Sequence, residues 1–378
     1  MQKIMRSLKG VEVKGKRVLL LTSLNVPILP DGSVGDEFRL KRDLPTIEFL
    51  ANEGAKIILV GYLGRKGETL APVATALQKL LPAIKISFTS DPVQSVGAHI
   101  EQLPQGECLM LENMRRENGE ESDDPALVAE LAKLADLFVD DAFAEAHRAY
   151  ASDWGVAKLL PSYAGFLMEE EVARLSPALT PPAGALAIVG GAKFETKQPL
   201  LEKLLGTYPE ILLGGALATD LLKARGMPVG ASLTSKDPVP VSLAEDERII
   251  LPIDLVVENA SGVSRTIHTG DVRTDERIVD AGPATIAAWV EKIKNAKFVL
   301  WNGPLGVYEK GYVAGTDALA KAITESSCVA VLGGGDTAAA LAQFTFDPAR
   351  VFISTGGGAM LEFLAQGGSL PGVDVLKN

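Results

Sequence analysis

Short apolar runs alternate with amphipathic segments from one end of the chain to the other. RVLLLTSL, AKIILVGYL, ECLMLENM and ADLFVDDAF are β-branched or Leu-rich runs that read as buried strands. Between them, LKRDLPTIEFLANEG, APVATALQKLLP and DDPALVAELAKLA carry apolar residues at i, i+3 and i+4, the spacing of a helix with one buried stripe. Asp124 followed by Pro125 predicts a helix N-cap and first-turn pair, and Gly54 a stop just past a helix end. Strand–helix–strand alternation of this length implies an α/β fold with a parallel sheet and helices on both faces.

The pattern pauses at SYAGFLMEEEVARLSPALTPPAG, a helical segment followed by Pro177, Pro181, Pro182 and Gly184, which suits a connector between domains. Alternation then resumes with GALAIVGGAK, EILLGGALA, RIILPIDLVV, KFVLWNGPLGV, CVAVLGGGDTAAA and RVFISTGGGAM. Two similar α/β halves are therefore expected, residues 1–163 and 184–361, joined through 164–183. The polar stretch 261–277 (SGVSRTIHTGDVRTDER) reads as a surface excursion, and no repeat of solenoid length is visible.

At 378 residues, 47% hydrophobic and 22% charged, the chain has globular proportions and room for two or three cores. A net charge of −11 argues against a nucleic-acid partner. The opening MQKIMRSLKG holds no apolar leader core, and no run is long enough to span a bilayer. Cys108 and Cys328 match no metal or redox spacing. These features point to a cytoplasmic protein with no membrane partner. The surplus is in glycine: 37 residues, where average usage of about 7% predicts ~26. That surplus is clustered.

In the second half one device recurs: an apolar run, two or three glycines, then a helix. It occurs at Gly190-Gly191-Ala192-Lys193, Gly214-Gly215-Ala216, Gly333-Gly334-Gly335-Asp336-Thr337 and Gly356-Gly357-Gly358-Ala359. Glycine lets backbone approach an anion closely, and the helix that follows aims free N–H groups at it. Lys193 and Lys197, four apart, share a helix face. A carboxylate at Asp336 would repel phosphate unless Mg²⁺ lies between them. Gly10 to Lys16 imitates the start of a P-loop, but Arg17 replaces the required hydroxyl residue and the segment precedes a strand. The first half instead carries Asn25, Arg39, Arg65, Arg115, His147 and Arg148 at strand ends and loops. Guanidinium groups recognise phosphate and carboxylate in a bidentate manner, so these residues suggest a site for a small anionic molecule.

At this point the chain resembles the phosphoglycerate kinase family along nearly its whole length. The motifs are LNVP at Leu24–Pro27, LGR at Leu63–Arg65, LENMR at Leu111–Arg115, DAFAEAHRA at Asp141–Ala149 and GFLMEEE at Gly165–Glu171. They continue with GGAKFETK, WNGPLGVYE at Trp301–Glu309, GGGDTAAA, STGGGA and LPGV near the end. The resemblance implies two Rossmann-like parallel-sheet domains facing a hinged cleft, with residues 362–378 returning to the first domain. It implies ATP or ADP on the second domain and 3-phosphoglycerate or 1,3-bisphosphoglycerate on the first, in a chain acting as a monomer.

By the same resemblance, Arg39, Lys193, Lys197, Gly357 and Gly358 would act on the transferring phosphoryl group. Ser23, Asn25, Arg39, Tyr62, Arg65, Arg115, His147 and Arg148 would hold phosphoglycerate. Gly191, Ala192, Lys193, Lys197, Gly214, Asn302, Leu305, Glu309, Gly334, Gly335, Asp336 and Thr337 would bind the nucleotide, Asp336 carrying Mg²⁺. Departures concentrate on the first half. Leu21 and Ser23 stand where the family usually has Arg and Asp, Tyr62 and Tyr150 replace histidines, and Lys66 replaces a proline. Ala144 and Glu145 stand where Gly and Thr are usual. The expected reaction is phosphoryl transfer between ATP and the carboxylate of 3-phosphoglycerate. The rivals are a sister kinase for another phosphorylated or carboxylated metabolite and a catalytically silent nucleotide-binding homologue.

Overall fold

The computed structural model describes residues 4–192 and 194–378, and it divides into two compact units. One comprises the chain up to Ala173 with Ser369–Asn378, the other Arg174–Gly368.

The first unit runs β1 (Arg17–Thr22), α1 (Phe38–Asn52), β2 (Lys56–Gly61), α2 (Ala71–Leu80), β3 (Ile86–Phe88), α3 (Gly97–Glu101), β4 (Cys108–Met110), α4 (Pro125–Leu134), β5 (Leu137–Asp140), β6 (Ser162–Ala164) and α5 (Phe166–Leu175), whose last two residues fall in the second unit. The strands form one sheet in the order β3-β4-β2-β1-β5-β6, and every pairing is parallel. Because alternate residues face opposite sides of a strand, β1 feeds two cores. Val18 and Leu20 join Leu40, Ile47, Val73 and Leu77 of α1 and α2 on one face. Leu19 and Leu21 join Ile58, Phe138, Leu127 and Leu131 on the other. Each such side chain stabilises the fold by roughly 1.5–3 kcal/mol. The Asp124 carboxylate caps α4, accepting from the N–H groups of Ala126 (2.9 Å) and Leu127 (3.2 Å), with Pro125 in the first turn. Gly54 follows α1 at φ +77, a conformation that costs glycine little.

The second unit contains β7 (Ala185–Val189), α6 (Phe194–Leu205), β8 (Ile211–Leu213), α7 (Gly215–Ala224), α8 (Val241–Ala244), β9 (Ile249–Ile250), β10 (Asp254–Asn259), β11 (Ser264–His268), β12 (Glu276–Ala281), α9 (Pro283–Asn295), β13 (Phe298–Asn302), α10 (Ala314–Glu325), β14 (Val329–Gly333), α11 (Gly335–Leu341), β15 (Val351–Ser354) and α12 (Gly358–Ala365). Its main sheet is parallel, in the order β15-β14-β13-β7-β8-β9.

The stretch 261–277 is not a loose excursion. It supplies β11 and the start of β12, which flank β10 in an antiparallel three-stranded sheet. Only Ile267 of β11 is buried, packing with Val272 near Leu222, Leu255 and Val257. A strand with one face in water carries so few apolar residues that its composition matches that of a loop.

The chain ends in α13 (Pro371–Val375), within the first unit. Glu362 lies in α12, so residues 362–368 stay with the second unit and the return begins at Ser369. The Arg6 guanidinium donates to the carbonyls of Val375 (2.7 Å) and Ser162 (2.8 Å), pinning the returning segment beside β6. No helix among the described residues is long and apolar enough to cross a membrane.

Candidate active site

In a parallel sheet the carboxyl ends of the strands share one edge, and ligands bind there. In the first unit Ser23 and Asn25 follow β1, and Arg39 lies in the first turn of α1. Tyr62 and Arg65 follow β2, Arg115 follows β4, and His147 and Arg148 follow β5. Residues up to 125 positions apart thus converge on one sheet edge because β4, β2, β1 and β5 are adjacent.

Two groups form there. Arg39 donates to the Asn25 carbonyl at 2.6 Å, and the Asn25 Oδ1 accepts the N–H of Gly64 at 3.1 Å. The Arg65 side chain is exposed, with no hydrogen bond or ion pair among the described residues. The second group holds Arg115, Glu145 and Arg148. Glu145 Oε2 lies 2.9 Å from Arg148 and 4.0 Å from Arg115. Asn113, which the sequence reading did not single out, ties the groups together. Its Oδ1 accepts the N–H groups of Leu63 and Arg115, and its Nδ2 donates to the carbonyls of Leu63 and Glu68. Its place inside LENMR was the available signal.

Three expectations for this unit change. Tyr62 is fully buried, and its hydroxyl donates inward to Glu120 at 3.1 Å and lies 2.8 Å from Ser152 Oγ. It therefore does not present a hydrogen bond to a ligand; its ring lies beneath Arg115, 5.7 Å from the guanidinium. His147 brings no positive charge, since burial and the neighbouring Arg148 push it down to about 4. Its Nε2 instead accepts the Arg148 Nε–H at 3.4 Å. Ser23 is 1% exposed, with a hydroxyl that has no partner among the described residues.

In the second unit the strand-to-helix glycine turns follow β7, β8, β14 and β15 at one edge. Gly215, at φ +63, brings its backbone so close to Gly191 that a Cβ would lie 2.7 Å from the Gly191 nitrogen. Gly191, Ala192, Gly214, Leu305, Glu309 and Asp336 line one cavity of about 300 Å³, whose apolar wall includes Leu222, Leu255 and Ile278. Asp280, missed in the sequence, also lines it. Burial pushes Asp280 up to about 6, although it accepts the N–H groups of Ala281 and Gly315.

Asn302 and Thr337 face inward and join loops. The Asn302 amide donates to the Gly333 carbonyl at 2.8 Å, and Thr337 Oγ1 accepts the Gly303 N–H at 2.7 Å. Lys197 is buried, and its ammonium donates to the Gly190 carbonyl. Burial pushes it down to about 8, with the Asp336 charge opposing. Gly334 caps α11 at φ +106, with Gly335 next, and Gly357 caps α12 at φ +50, with Gly358 next. Lys193 lies outside the described residues.

The donor set suits Mg²⁺. Asp336 is an exposed carboxylate with no hydrogen bond or ion pair among the described residues, at the edge of the cavity. No group of three metal-ligating side chains occurs among those residues. Mg²⁺ commonly binds through one or two carboxylates plus substrate phosphates and water, so one free carboxylate is enough.

The chain matches the phosphoglycerate kinase family model over residues 8–367. It is 39% identical to a phosphoglycerate kinase of Chloroflexus aurantiacus across 99% of both chains, and 41% identical to one of Rubrobacter xylanophilus across 98% of both. The solved phosphoglycerate kinase of Coxiella burnetii superposes with a TM-score of 0.84 at 35% identity, covering 99% of this chain and 98% of that one. The enzyme of Pyrococcus horikoshii OT3 gives 0.86 at 29% identity, covering 98% of each. Full-length similarity on both units, with guanidinium groups gathered at one sheet edge and glycine turns at the other, places this chain in the phosphoglycerate kinase family.

Proposed function

We propose that the protein catalyses reversible phosphoryl transfer between ATP and the carboxylate of 3-phosphoglycerate, giving 1,3-bisphosphoglycerate. Full-length family membership carries this reading. A carboxylate nucleophile is already ionised at neutral pH, so the protein needs no general base. It must instead position two anions in line and offset the charge on the moving group. In the first unit Asn25, Arg39, Arg65, Arg115 and Arg148 hold phosphoglycerate. In the second, the apolar wall with Leu305 takes the nucleotide base and Glu309 the ribose. The turns at Gly191, Gly214, Gly334 and Gly357 approach the phosphates. Lys197, with Lys193, offsets charge on the transferring group, aided by Arg39 and the N–H groups at Gly357 and Gly358. Mg²⁺ on Asp336 neutralises phosphate charge when bound.

The test is a coupled assay with purified protein, ATP, Mg²⁺ and 3-phosphoglycerate. Turnover is expected, and its absence with this acid but presence with another would establish the sister kinase. In the same series Asp336→Ala should weaken Mg-dependent nucleotide binding in calorimetry. Equal affinity with and without Mg²⁺ in the unmutated protein would remove the metal from Asp336.

With one substrate on each unit, transfer requires closure that also excludes water. Small-angle scattering should give a smaller radius of gyration with both ligands than with either alone, and no change would argue against gating. We take the protein to act as a monomer in the cytoplasm; a dimer mass in light scattering would overturn the first part.

A further inference from the structure

We propose that Glu145 is a specificity-determining residue, whose carboxylate occupies from within the seat that Arg115 and Arg148 offer to the substrate phosphate. The phosphate then binds only by displacing it. The proposal rests on the reading that these arginines hold phosphoglycerate.

Glu145 is 4% exposed and sits between the two guanidinium groups, 2.9 Å from one and 4.0 Å from the other. The carboxylate therefore sets its negative charge beside both guanidinium groups, as an ion pair with each, where the charge of a bound phosphate would fall. The cations are held from behind as well. Arg115 lies over the Tyr62 ring at 5.7 Å and Arg148 over the Tyr150 ring at 5.5 Å, and the two rings meet edge-on at 5.9 Å. Two residues that replace family histidines thus position arginines.

The loop itself is braced. The Glu145 N–H donates to Ala142, its carbonyl accepts the Arg148 N–H at 2.9 Å, and the Ala146 carbonyl accepts the Gly372 N–H at 2.9 Å. Glu121 also meets Arg115, at 3.3 Å, but its side chain is 62% exposed and screened by water and salt. The Glu145 side chain, at 5%, is not. A hydroxyl residue at this position, usual in the family, would leave both guanidinium charges to the ligand. Here one is already offset.

The test compares Glu145→Gln and Glu145→Thr with the unmutated full chain, by steady-state kinetics and by calorimetry with inorganic phosphate. Removing one charged competitor should lower KM for 3-phosphoglycerate by about tenfold, with a much smaller change in kcat. Inorganic phosphate should bind correspondingly tighter. Thr lacks the reach of Gln, so it supplies the same readout where the amide disturbs the loop. Tighter phosphate binding with no turnover of 3-phosphoglycerate in any form would uphold the role of Glu145 and overturn the substrate. Unchanged KM and phosphate affinity in both variants would overturn the proposal. So would weaker phosphate binding, which would make Glu145 a support for the arginines.

Discussion

Lys197→Ala is expected to lower kcat by about 10²–10³-fold, the usual loss when one donor to developing charge is removed. Nucleotide affinity should change far less. The ammonium is buried and donates to the Gly190 carbonyl. Removing it also leaves that carbonyl without its partner, so Lys197→Met, which fills the stem but carries no charge, is the companion variant. Burial brings Lys197 to about 8. In the nucleotide-free protein the cation is therefore complete at pH 6 and lost as pH rises through 8. The kcat/KM for transfer should fall over that interval in the unmutated protein and stay flat in Lys197→Met. Full turnover with only a raised nucleotide KM would show that Lys197 merely binds.

Asp140→Asn is expected to stabilise the folded protein at pH 8 and to leave it unchanged near pH 3. Asp140 and Asp153 are buried carboxyls that share a hydrogen bond, and burial pushes both up, Asp140 to about 6. Glu120 and Asp141 are each pushed up to about 7 by the same cause. A raised carboxyl binds its proton more tightly in the folded state. Stability from that proton is present below the unfolded value and is lost as pH rises through the folded one. For Asp140 the window runs from 3.8 to about 6. Asparagine keeps the acceptor for the Ala142 N–H, 2.9 Å away, and carries no charge that burial must disfavour. Chemical denaturation at a series of pH values checks this. A variant less stable than the parent at pH 8 would mean that the ionised pair is tolerated.

These acids underlie the same edge that carries the guanidinium groups. Asp140 ends β5, and Asp153 interacts with Glu120 and Glu145. The first unit therefore places buried carboxyl groups, held toward their protonated forms, close behind the groups that should attract an anionic substrate. Glu145 is the member of this set that reaches the arginines.

Much of the fold was legible in the chain. Strand and helix periods, the Asp124–Pro125 cap and the Gly54 stop depend on neighbours within a few residues, and local sterics and hydrogen bonding act at that range. The glycine turns belong to the same class. The stretch 261–277 was misread because its strands bury a single face, and pairing with β10 supplies the order that composition lacks.

By itself the sequence determined the two α/β halves, the family, and the glycine and arginine positions that its motifs carry. Which way side chains point was decided only by tertiary structure, because burial and charge pairing depend on residues distant in the chain. Tyr62 turns its hydroxyl to Glu120 and Ser152 and lends its ring to Arg115. His147 is neutral because packing removes water from it and places Arg148 beside it. Glu145 counted as one altered letter until β4 and β5 brought Arg115 and Arg148 to either side of it. Asn113 and Asp280 were hidden for the same reason: their partners are assembled by the sheets.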